Sequence, residues 1–390
     1  MKVAIYGGSF NPPHLGHVRA ARAAMNMLAP DRLFCLPVSV PPHKTLEQGS
    51  PSPAERLELT RLAALEAPGA EVLDIELTRV GPSYTADTLR QLSGLFPGAE
   101  LEFLMGTDMF LSIDGWREPQ TVMELARIGV FARAGGQMPE LESKAAYLRK
   151  TYGARIDLVP SDPLDISSSE IRAMLPKRQG CDYLPDAVYE RIIRFRLYGA
   201  KPDLAWLRKK ATTYLDPKRV PHVQGTEQEA VRLARRWGED ESDAAEAAIL
   251  HDVTKRLTRT EQLQLCEKYG IMTDNCELSN EKLLHAKTGA ALSADVFGVP
   301  APIESAIRWH TTGRPGMTRL EKIIYLADYI EPTRRDFDGL NELRSLAYQD
   351  LDACMELGLV MSLREVRSKG QEPHENTAKA EAWYAERLHG

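Results

Sequence analysis

The strongest constraint on the fold is a change in hydrophobic pattern near residue 200. Before it, short apolar runs that suit buried strands alternate with stretches of helical periodicity. This alternation predicts a parallel sheet with helices on both faces, because parallel strands need a crossover helix between them. The expected strands are Val3–Tyr6, Leu33–Pro37, Val72–Ile75, Leu101–Met105, Ile128–Ala132 and Ile156–Val159. The expected helices between them include Val18–Leu28, Ala54–Ala67 and Thr85–Leu95.

The change itself falls at Tyr198-Gly199-Ala200-Lys201-Pro202, directly after the helical run Ala187–Leu197. Glycine followed by proline is a typical end of a helix. Beyond this point strand-like runs disappear, and we expect helices at Glu227–Trp237, Asp243–Leu250, Arg259–Tyr269, Ile303–Trp309 and Arg319–Tyr329. The sequence therefore predicts two domains, residues 1–199 and 200–390, of which the second is all-helical.

Composition narrows the functional classes. The 390 residues, 43% of them hydrophobic, are enough for two separate cores. A net charge of -6 argues against a nucleic-acid partner, and no apolar run is long enough to predict a membrane span. Five cysteines without a C-x-x-C spacing favour a reducing, cytoplasmic environment over a disulfide framework. The sequence leaves the oligomeric state open, including a homo-oligomer.

The first expected strand runs into the string Gly7-Gly8-Ser9-Phe10-Asn11-Pro12-Pro13-His14-Leu15-Gly16-His17. Glycines let the backbone approach a ligand closely, and the helix that follows directs its free amides toward an anion. His14 and His17, three residues apart, face the same side of the helix start. They are placed to donate to phosphate oxygens while negative charge develops in a transition state.

This string resembles the H-x-G-H motif of the nucleotidylyltransferase superfamily, and later segments narrow the resemblance to nicotinate mononucleotide adenylyltransferases. Those segments are Pro37–Lys44, Gly81–Leu89, Gly106-Thr107-Asp108 with Trp116, and Ile166–Arg172. The resemblance covers residues 1 to about 198. It implies a Rossmann-like α/β nucleotidylyltransferase domain that joins the adenylyl group of ATP to nicotinate mononucleotide. The products would be nicotinate adenine dinucleotide, for NAD biosynthesis, and pyrophosphate.

The resemblance also implies residue roles. ATP with Mg²⁺ would lie over the turn Gly7–Phe10, which includes Gly8 and Ser9, with its phosphates near the catalytic residues His14, His17 and Arg172. The other substrate-binding residues that it implies are Lys44, Ser83, Tyr84, Thr85, Gly106, Asp108, Trp116, Arg133, Ser167 and Ser168.

Three of these implied residues have specific tasks. Asp108 would accept a hydrogen bond from a ribose hydroxyl. Trp116 would offer a flat face to the pyridine ring, and Thr85 with nearby amides would meet the carboxylate of that ring. At Arg133 this chain departs from the family pattern, because Ala134 stands where a proline usually follows the arginine.

The helical half carries a different pattern. His251 and Asp252 lie in the apolar, helix-like stretch Ala247–Asp252, where an unpaired carboxylate would be very costly. A metal ion is one partner that would compensate the charge. Four histidines and two carboxylates in this half would suit one or two transition-metal ions.

The order of these residues resembles the HD phosphohydrolase superfamily. The series is His222, His251-Asp252, His285, His310 and Asp328. The segments His285–Ala290, Arg308–Met317 and Ala327–Pro332 are similar to one subfamily, the YqeK type, which is associated with symmetrical hydrolysis of diadenosine tetraphosphate to ADP. This resemblance runs from about Leu204 to about Leu351.

The second resemblance implies two metal ions, with iron as the favoured metal. One ion would be held by His222, His251 and Asp328, and the other by His285 and His310, with the catalytic Asp252 shared between them. Lys255, Thr311 and Arg314 would contact the phosphate chain of diadenosine tetraphosphate. The whole chain is thus expected to be bifunctional.

Three alternatives stay open at the level of sequence. The first half could use another acceptor, such as phosphopantetheine, although Gly81–Thr88 and Trp116 argue against it. The helical half could be a regulatory module that binds a nucleotide without cleaving it. It could also hydrolyse guanosine alarmones or other nucleotides, because HD enzymes share the same metal ligands.

Overall fold

The structure is a computed structural model that describes residues 1–40, 46–79, 81–133, 138–161, 164, 166–280 and 283–390; the side chains of Arg133 and Ser161 lie outside this description. The chain divides into two compact units, Met1–Lys201 and Pro202–Gly390. In the described part of the chain, no helix combines the length and the apolar composition that crossing a membrane requires.

In the part of the first unit that the structure describes, six parallel strands form one sheet in the order β3-β2-β1-β4-β5-β6. The strands are β1 (Lys2–Gly8), β2 (Arg32–Pro37), β3 (Ala70–Val72), β4 (Glu100–Gly106), β5 (Ala126–Arg133) and β6 (Ile156–Ser161). The predicted fold class, a doubly covered parallel sheet followed by a helical domain, is confirmed.

Helices connect these strands. They are α1 (Leu15–Leu28), α2 (Pro53–Ala64), α3 (Thr85–Leu95), α4 (Thr107–Leu111), α5 (Pro119–Leu125), α6 (Met138–Tyr152), α7 (Ser168–Met174) and α8 (Asp186–Arg194). Short 3₁₀ turns occur at Ile113–Gly115, Leu175–Lys177, Cys181–Tyr183 and Leu197–Gly199. The connections reverse direction on either side of β1, because β2 lies on one side of it and β4 on the other. Ligands of such sheets bind at this switch point, outside the carboxyl ends of the strands.

One strand differs from its prediction. β3 covers Ala70–Val72 and pairs with Leu33–Cys35 of β2, whereas the sequence predicted Val72–Ile75. Leu73 and Ile75, which produced the apolar signal, pack against the core from outside the strand. These two residues are apolar because they pack against the core, and they are not part of a strand.

The second unit is helical throughout its described residues. Its helices are α9 (Leu204–Thr212), α10 (Val220–Trp237), α11 (Glu241–Leu250), α12 (Arg259–Tyr269), α13 (Asn275–Ser279), α14 (Leu284–Phe297), α15 (Ala301–Trp309), α16 (Arg319–Ile330), α17 (Leu340–Leu346), α18 (Leu351–Ser368) and α19 (Glu375–His389), with a 3₁₀ turn at Pro217–Arg219. Its core contains the almost wholly buried stretch Ala244–Leu250 of α11, which packs against α10, α15 and α16.

The sequence placed His251 and Asp252 inside a helix-like stretch, but α11 ends at Leu250. His251 is the C-cap residue, and Asp252 lies in the turn that follows. The end of a helix leaves carbonyl groups without intrahelical partners, which is important for the chemistry of this histidine.

Candidate functional site

The first unit has a cleft of about 540 Å³ at the switch point. Its walls come from the ends of β1 and β4, the start of α3 and the segment after α4. Seven predicted substrate-binding residues line it: Gly7, Gly8, Ser9, Ser83, Tyr84, Thr85 and Trp116. Val38, Glu76, Phe103, Met109, Ser112, Gly115 and Arg117 complete the lining. The structure thus brings the glycine turn and the segment around Thr85 into one cavity.

A side chain in place of either glycine at the end of β1 would crowd an aromatic ring. A Cβ atom at Gly7 would lie 3.1 Å from the Phe103 ring, and one at Gly8 would lie 3.1 Å from the Phe10 ring. Phe10 itself is buried, with its ring against Tyr6 and His17. Its side chain therefore supports the turn from below, and a contact of Phe10 with substrate would come from its backbone.

The two histidines sit at the N-terminus of α1. His14 is the N-cap residue, and its Nδ1 accepts a hydrogen bond from the Gly16 amide at 3.1 Å. Nδ1 of His17 accepts from the His14 amide, also at 3.1 Å. A neutral imidazole whose Nδ1 accepts carries its proton on Nε2. Both rings therefore present Nε2–H as a donor.

Burial keeps these imidazoles neutral. It lowers the pKa of His14 from its usual value to about 4. Burial, followed by the proximity of His14, lowers the pKa of His17 well below its usual range. Near pH 7 each ring is an uncharged hydrogen-bond donor in an environment that is already partly dehydrated.

Residues far along the chain reach the same turn. The Arg172 guanidinium donates to the Asn11 carbonyl and pairs with Glu47, while the Ser168 hydroxyl donates to the Pro12 carbonyl at 2.9 Å. Ser167 is the N-cap residue of α7. The Tyr198 hydroxyl donates to Oδ1 of Asn11 at 2.9 Å, a contact that the sequence did not predict. The predicted late segment is therefore assembled with the glycine turn.

A fully buried arginine, also absent from the predictions, joins two loops of the site. The Arg56 guanidinium donates to the carbonyl of Ser9, after β1, at 2.9 Å. It also donates to the carbonyls of Val38 at 2.7 Å and Ser39 at 2.9 Å, after β2. Three main-chain carbonyls on one rigid cation fix the spacing of these two loops.

The far end of the cleft is aromatic. Trp116 meets the Phe103 ring edge-on at 6.4 Å, and the Arg117 guanidinium lies 4.4 Å from the centre of the Tyr84 ring. Thr85 begins α3, so the cleft receives the N-terminal amides of that helix. A helix N-terminus favours an anionic group.

Other predicted residues lie elsewhere or outside the described part. Gly106 and Asp108 are exposed at the start of α4. Lys44 lies outside the described residues, and only the backbone of Arg133 is described, at the end of β5.

In the second unit the six predicted metal ligands come together. They arrive on the first turns of α10 and α14, the ends of α11 and α15, and the last turn of α16. His222, His251 and Asp328 form one group whose ligand atoms lie within 4.8 Å of one another, and His251, Asp252 and His310 form a second. His285 Nε2 lies 3.2 Å from Asp252 Oδ1.

The outer nitrogens of three of these imidazoles are held by oxygen atoms. Nδ1 of His251 lies 2.6 Å from the Ala248 carbonyl, and Nδ1 of His310 lies 2.7 Å from the Ile307 carbonyl. Nδ1 of His222 lies 3.1 Å from Oε1 of Glu331. Since a carbonyl can only accept, Nδ1 of His251 and His310 is protonated and their Nε2 lone pairs face the cluster.

These lone pairs fit a metal. His251 Nε2 and Asp252 Oδ1 are buried and form no hydrogen bond among the described residues, although His285 Nε2 lies 3.2 Å from Asp252 Oδ1. His285 Nε2 and His310 Nε2 lie only 3.1 Å apart, a spacing that one shared proton or a shared cation accommodates. Nitrogen and carboxylate donors in this number suit one or two divalent transition ions.

Neighbouring side chains in the cluster shift the pKa values of its two carboxyl groups. Burial would raise the pKa of Asp252, but His251, His285 and Lys255 outweigh it and hold that pKa well below its usual range. Asp328 behaves in the same way, with His222 as the main stabilising partner after burial. Both carboxylates are thus ionised and available as ligands.

Three residues at the cluster were missed by the sequence analysis. Nε of Arg219 donates to Asp252 at 2.5 Å, and Arg334 donates to Asp328 at 2.9 Å. Glu331 is buried behind His222. Glu331 lies three residues after Asp328, in the Ala327–Pro332 segment, so its position was a usable signal. Arg219 and Arg334 carried none, because exposed arginines are common.

The predicted phosphate contacts have mixed placements. Lys255 Nζ lies 3.0 Å from His285 Nε2, and Thr311 Oγ1 lies 3.2 Å from His310 Nε2, so both adjoin the cluster. Arg314 instead donates to the buried carboxylate of Glu321 at 2.9 Å. That ion pair gives Arg314 a structural partner.

A third group of the second unit lies apart from the predicted ligands. His374, which had no recognisable context in the sequence, lies 3.1 Å from Asp274 and 3.5 Å from Glu277. Lys287 already neutralises Glu277 at 2.6 Å. His374 also caps α19 by accepting from the Asn376 amide. These contacts form an ionic link between α13 and α19.

Two family models match the chain: a cytidylyltransferase-like model over residues 5–174, and an HD domain model over residues 219–333. The chain is 36% identical over 198 residues to a probable nicotinate-nucleotide adenylyltransferase from Carboxydothermus hydrogenoformans, covering 50% of this chain and 98% of that protein. A probable nicotinate-nucleotide adenylyltransferase from Citrifermentans bemidjiense is 37% identical over 213 residues, covering 51% of this chain and 98% of that protein.

Among solved structures, a predicted HD superfamily hydrolase involved in NAD metabolism from Clostridium acetobutylicum is 36% identical. The match covers 47% of this chain and 97% of that chain, with a TM-score of 0.45.

Proposed function

The chain belongs to the nicotinate-nucleotide adenylyltransferase family through its first unit, and from that premise we propose that this unit adenylylates nicotinate mononucleotide. It would use ATP and release nicotinate adenine dinucleotide and pyrophosphate. The observation that carries this proposal is the single cleft shared by the glycine turn and the Thr85–Trp116 region. One end of it suits phosphates, and the other suits an aromatic acid.

At the phosphate end, the chain supplies positioning and neutral donors. The Gly16 amide donates to Nδ1 of His14, and the His14 amide donates to Nδ1 of His17. These two hydrogen bonds fix both rings in the Nε2–H tautomer before any substrate binds. Such preset donors stabilise charge that grows on phosphate oxygens during transfer, and they need no rearrangement. Arg172, held against the turn, is the cationic partner proposed for the same phosphates. Mg²⁺ would arrive with ATP and neutralise further charge.

At the other end, the proposal concerns selectivity for the acid. Trp116 offers the ring face, and the N-terminus of α3 at Thr85 offers the first main-chain amides of that helix. A carboxylate accepts from such amides, whereas the NH₂ of a nicotinamide would meet them as a second donor. Two N–H donors that face each other cannot form a hydrogen bond, so nicotinate mononucleotide is preferred over the amide form.

The test is a comparison of acceptors on the full chain. With ATP and Mg²⁺, we expect nicotinate mononucleotide to react with a kcat/KM at least about a hundredfold above that of nicotinamide mononucleotide. Equal use of the two acceptors would rule out the proposed carboxylate contact. Preference for phosphopantetheine would rule out the acceptor class.

For the second unit we propose a metal-dependent phosphohydrolase that cleaves diadenosine tetraphosphate symmetrically into two ADP molecules. The supporting observation is the convergence of the six ligands. Two of their buried atoms, His251 Nε2 and Asp252 Oδ1, form no hydrogen bond among the described residues. His222, His251 and Asp328 would hold one ion, and His285 and His310 the other, with Asp252 between them. Bound ions of this kind would supply a hydroxide and neutralise charge on the phosphate; iron is the proposed metal.

The chain's own residues would orient that site. Carbonyls and Glu331 lock the imidazole rings from behind. Lys255 and Thr311, beside the cluster, would contact the phosphate chain, and Arg314 would need to leave Glu321 to do so. Arg219 and Arg334 are better placed cations, because they already touch the ligand carboxylates.

Product analysis separates this proposal from its competitors. The metal-loaded full chain is incubated with diadenosine tetraphosphate, a guanosine alarmone and ADP-ribose, and the products are resolved by chromatography. Rapid formation of ADP alone from the first substrate supports symmetrical hydrolysis. Faster cleavage of another nucleotide would reassign the substrate, and binding without cleavage would favour a regulatory module.

A further inference from the structure

A large cavity adjoins the metal-ligand cluster of the second unit. It has a volume of about 930 Å³ and is lined by His222 together with Arg219 and Arg334, which bond the ligand carboxylates Asp252 and Asp328. The cavity therefore opens onto the proposed site of cleavage. Its size is within the range of pockets that hold small organic ligands.

The part of the cavity lining that comes later in the sequence carries two arginines without partners among the described residues. Arg335 follows α16 in the connecting loop, and Arg364 belongs to α18; both line the cavity and both are exposed. Among the described residues, neither guanidinium has a hydrogen-bond or ion-pair partner. Arg314, by contrast, is paired with Glu321. Arg335 and Arg364 are available to a ligand.

Lys218 also lines the cavity, so the acidic residues of the lining only partly offset its positive charge. Glu331 is buried against His222, and the exposed Glu365 pairs with Lys369. Asp336 and Asp338 are exposed on the same loop as Arg335. An anion with several separated charges can engage the arginines while it keeps away from these two carboxylates.

The same part of the lining also carries an aromatic surface. Phe337 lines the cavity and packs against Tyr329, with ring centres 5.6 Å apart and planes inclined by 33°. Tyr329 follows the proposed ligand Asp328 directly, so this pair is anchored to the metal-bearing helix α16. An aromatic ring beside unpartnered guanidinium groups is suited to a nucleobase joined to phosphates.

We propose that Arg335, Arg364 and Phe337 form the binding site for the outer nucleotide of the substrate, the one that leaves after cleavage at the cluster. This inference rests on the hydrolase proposed above for the second unit. The two arginines engage the phosphates of that nucleotide, and Phe337 contacts its base. The cluster side of the cavity, with Arg219 and Arg334, receives the phosphate under attack.

The kinetic test uses the full chain loaded with Mn²⁺ as a divalent stand-in, with diadenosine tetraphosphate as substrate. Arg335→Gln and Arg364→Gln should each raise KM roughly tenfold, because a charge-assisted hydrogen bond is lost, while kcat stays within about twofold. Arg367→Gln is the matched control, since Arg367 is an exposed arginine on the same helix as Arg364 and does not line the cavity. It should behave as the wild type.

A binding measurement separates failure of this inference from failure of the hydrolase proposal. Calorimetry compares ADP and pyrophosphate on the wild type and each variant; the first unit contributes equally to all of them, so differences report the second unit. Arg335→Gln and Arg364→Gln should weaken both ligands. Phe337→Leu, which keeps the residue apolar, should weaken ADP by roughly fivefold and leave pyrophosphate unchanged.

Each outcome decides between the two ideas. If the wild type cleaves its substrate but KM and ADP affinity are the same in both arginine variants, the inference is wrong and the hydrolase stands. If the wild type cleaves nothing yet the variants lose ADP affinity, the binding site stands without the reaction. If Phe337→Leu weakens pyrophosphate as much as ADP, its role is structural and the base contact is overturned.

Discussion

Histidines serve both units of this chain, but in opposite tautomers. At the start of α1, Nδ1 of His14 and His17 accepts main-chain amides, which leaves Nε2–H as a donor. At the ends of α11 and α15, Nδ1 of His251 and His310 faces main-chain carbonyls, which leaves Nε2 as a lone pair. One pair of rings is suited to an anion and the other to a cation.

The difference follows from which end of a helix each histidine occupies. A helix N-terminus has free N–H groups and a C-terminus has free carbonyls. At an N-terminus the free N–H groups make Nδ1 an acceptor, and at a C-terminus the free carbonyls make Nδ1 a donor. The helix dipole acts in the same direction, because its N-terminus favours anions and its C-terminus favours cations. For these four histidines, position on a helix thus sets which ring nitrogen carries the proton.

The largest expected effect tests the proposed cation-binding cluster of the second unit. Asp252→Asn keeps the shape of the side chain but removes the charge that would join two ions. We expect metal content to fall and phosphohydrolase activity to drop on the order of a thousandfold or more. Adenylyl transfer should be unchanged. Metal analysis together with both assays checks this, and full metal content in the variant would contradict the two-ion site.

The next effect tests the anion-binding pair. His17→Ala removes the Nε2–H donor, and we expect the rate of adenylyl transfer to fall on the order of a hundredfold. ATP affinity should change little, since the donor acts on charge that develops during transfer. Single-turnover kinetics and equilibrium ATP binding separate the two quantities. Equal losses in both would assign His17 a structural role.

A smaller effect tests the hydrogen bond that orients the proposed metal ligand His222. Glu331→Gln weakens the partner of His222 Nδ1 without touching the inner nitrogen. We expect metal affinity to fall roughly tenfold, as is usual for such outer partners. Competition with a metal-sensitive dye measures the change. Asp338→Asn, an exposed carboxylate of the following loop, is the control. An unchanged affinity in Glu331→Gln would show that the carbonyl-held histidines suffice.

The smallest expected effect is on stability. Burial lowers the pKa of His14 to about 4, whereas an unfolded histidine titrates near 6.5. Between these values the unfolded chain binds the extra proton, so the first unit should lose stability as pH falls below about 6.5. From pH 6.5 to 5.5 the loss is about 1 kcal/mol for this group.

Urea unfolding at pH 6.5 and 5.5, followed by hydrogen exchange of peptides from α1, measures this loss. His14→Gln should show a smaller dependence on pH than the wild type. An identical dependence in both proteins would mean that His14 is already solvated.

Much of the fold followed from periodicity. α3 and α12 begin and end where the sequence predicted them. β3 was displaced because Leu73 and Ile75 are apolar for packing and not for pairing, a distinction that periodicity cannot make. Local pattern reports burial, while sheet pairing depends on the register of a partner distant in sequence.

The sequence anticipated which side chains lie together where residue types are rare, and missed neighbours where residue types are common. Histidine series are unusual, and the predicted ligands converge. Arg56, Arg219 and Arg334 gave no signal, because their roles depend on carbonyls and carboxylates that only the folded chain brings near. Arg314 shows the same limit: the resemblance implied a phosphate contact, whereas the folded chain pairs it with Glu321.

The hydrogen bond from Tyr198 to Asn11 has a practical consequence for dissecting the two activities genetically. Tyr198 is among the last residues of the first unit, yet its hydroxyl supports the turn between β1 and α1. An expression boundary placed a few residues too early would delete that support and yield an inactive fragment for reasons unrelated to the second activity. Cutting between Lys201 and Pro202 keeps the hydroxyl in the first fragment, so complementation of a strain lacking either activity can then be attributed to one fragment alone.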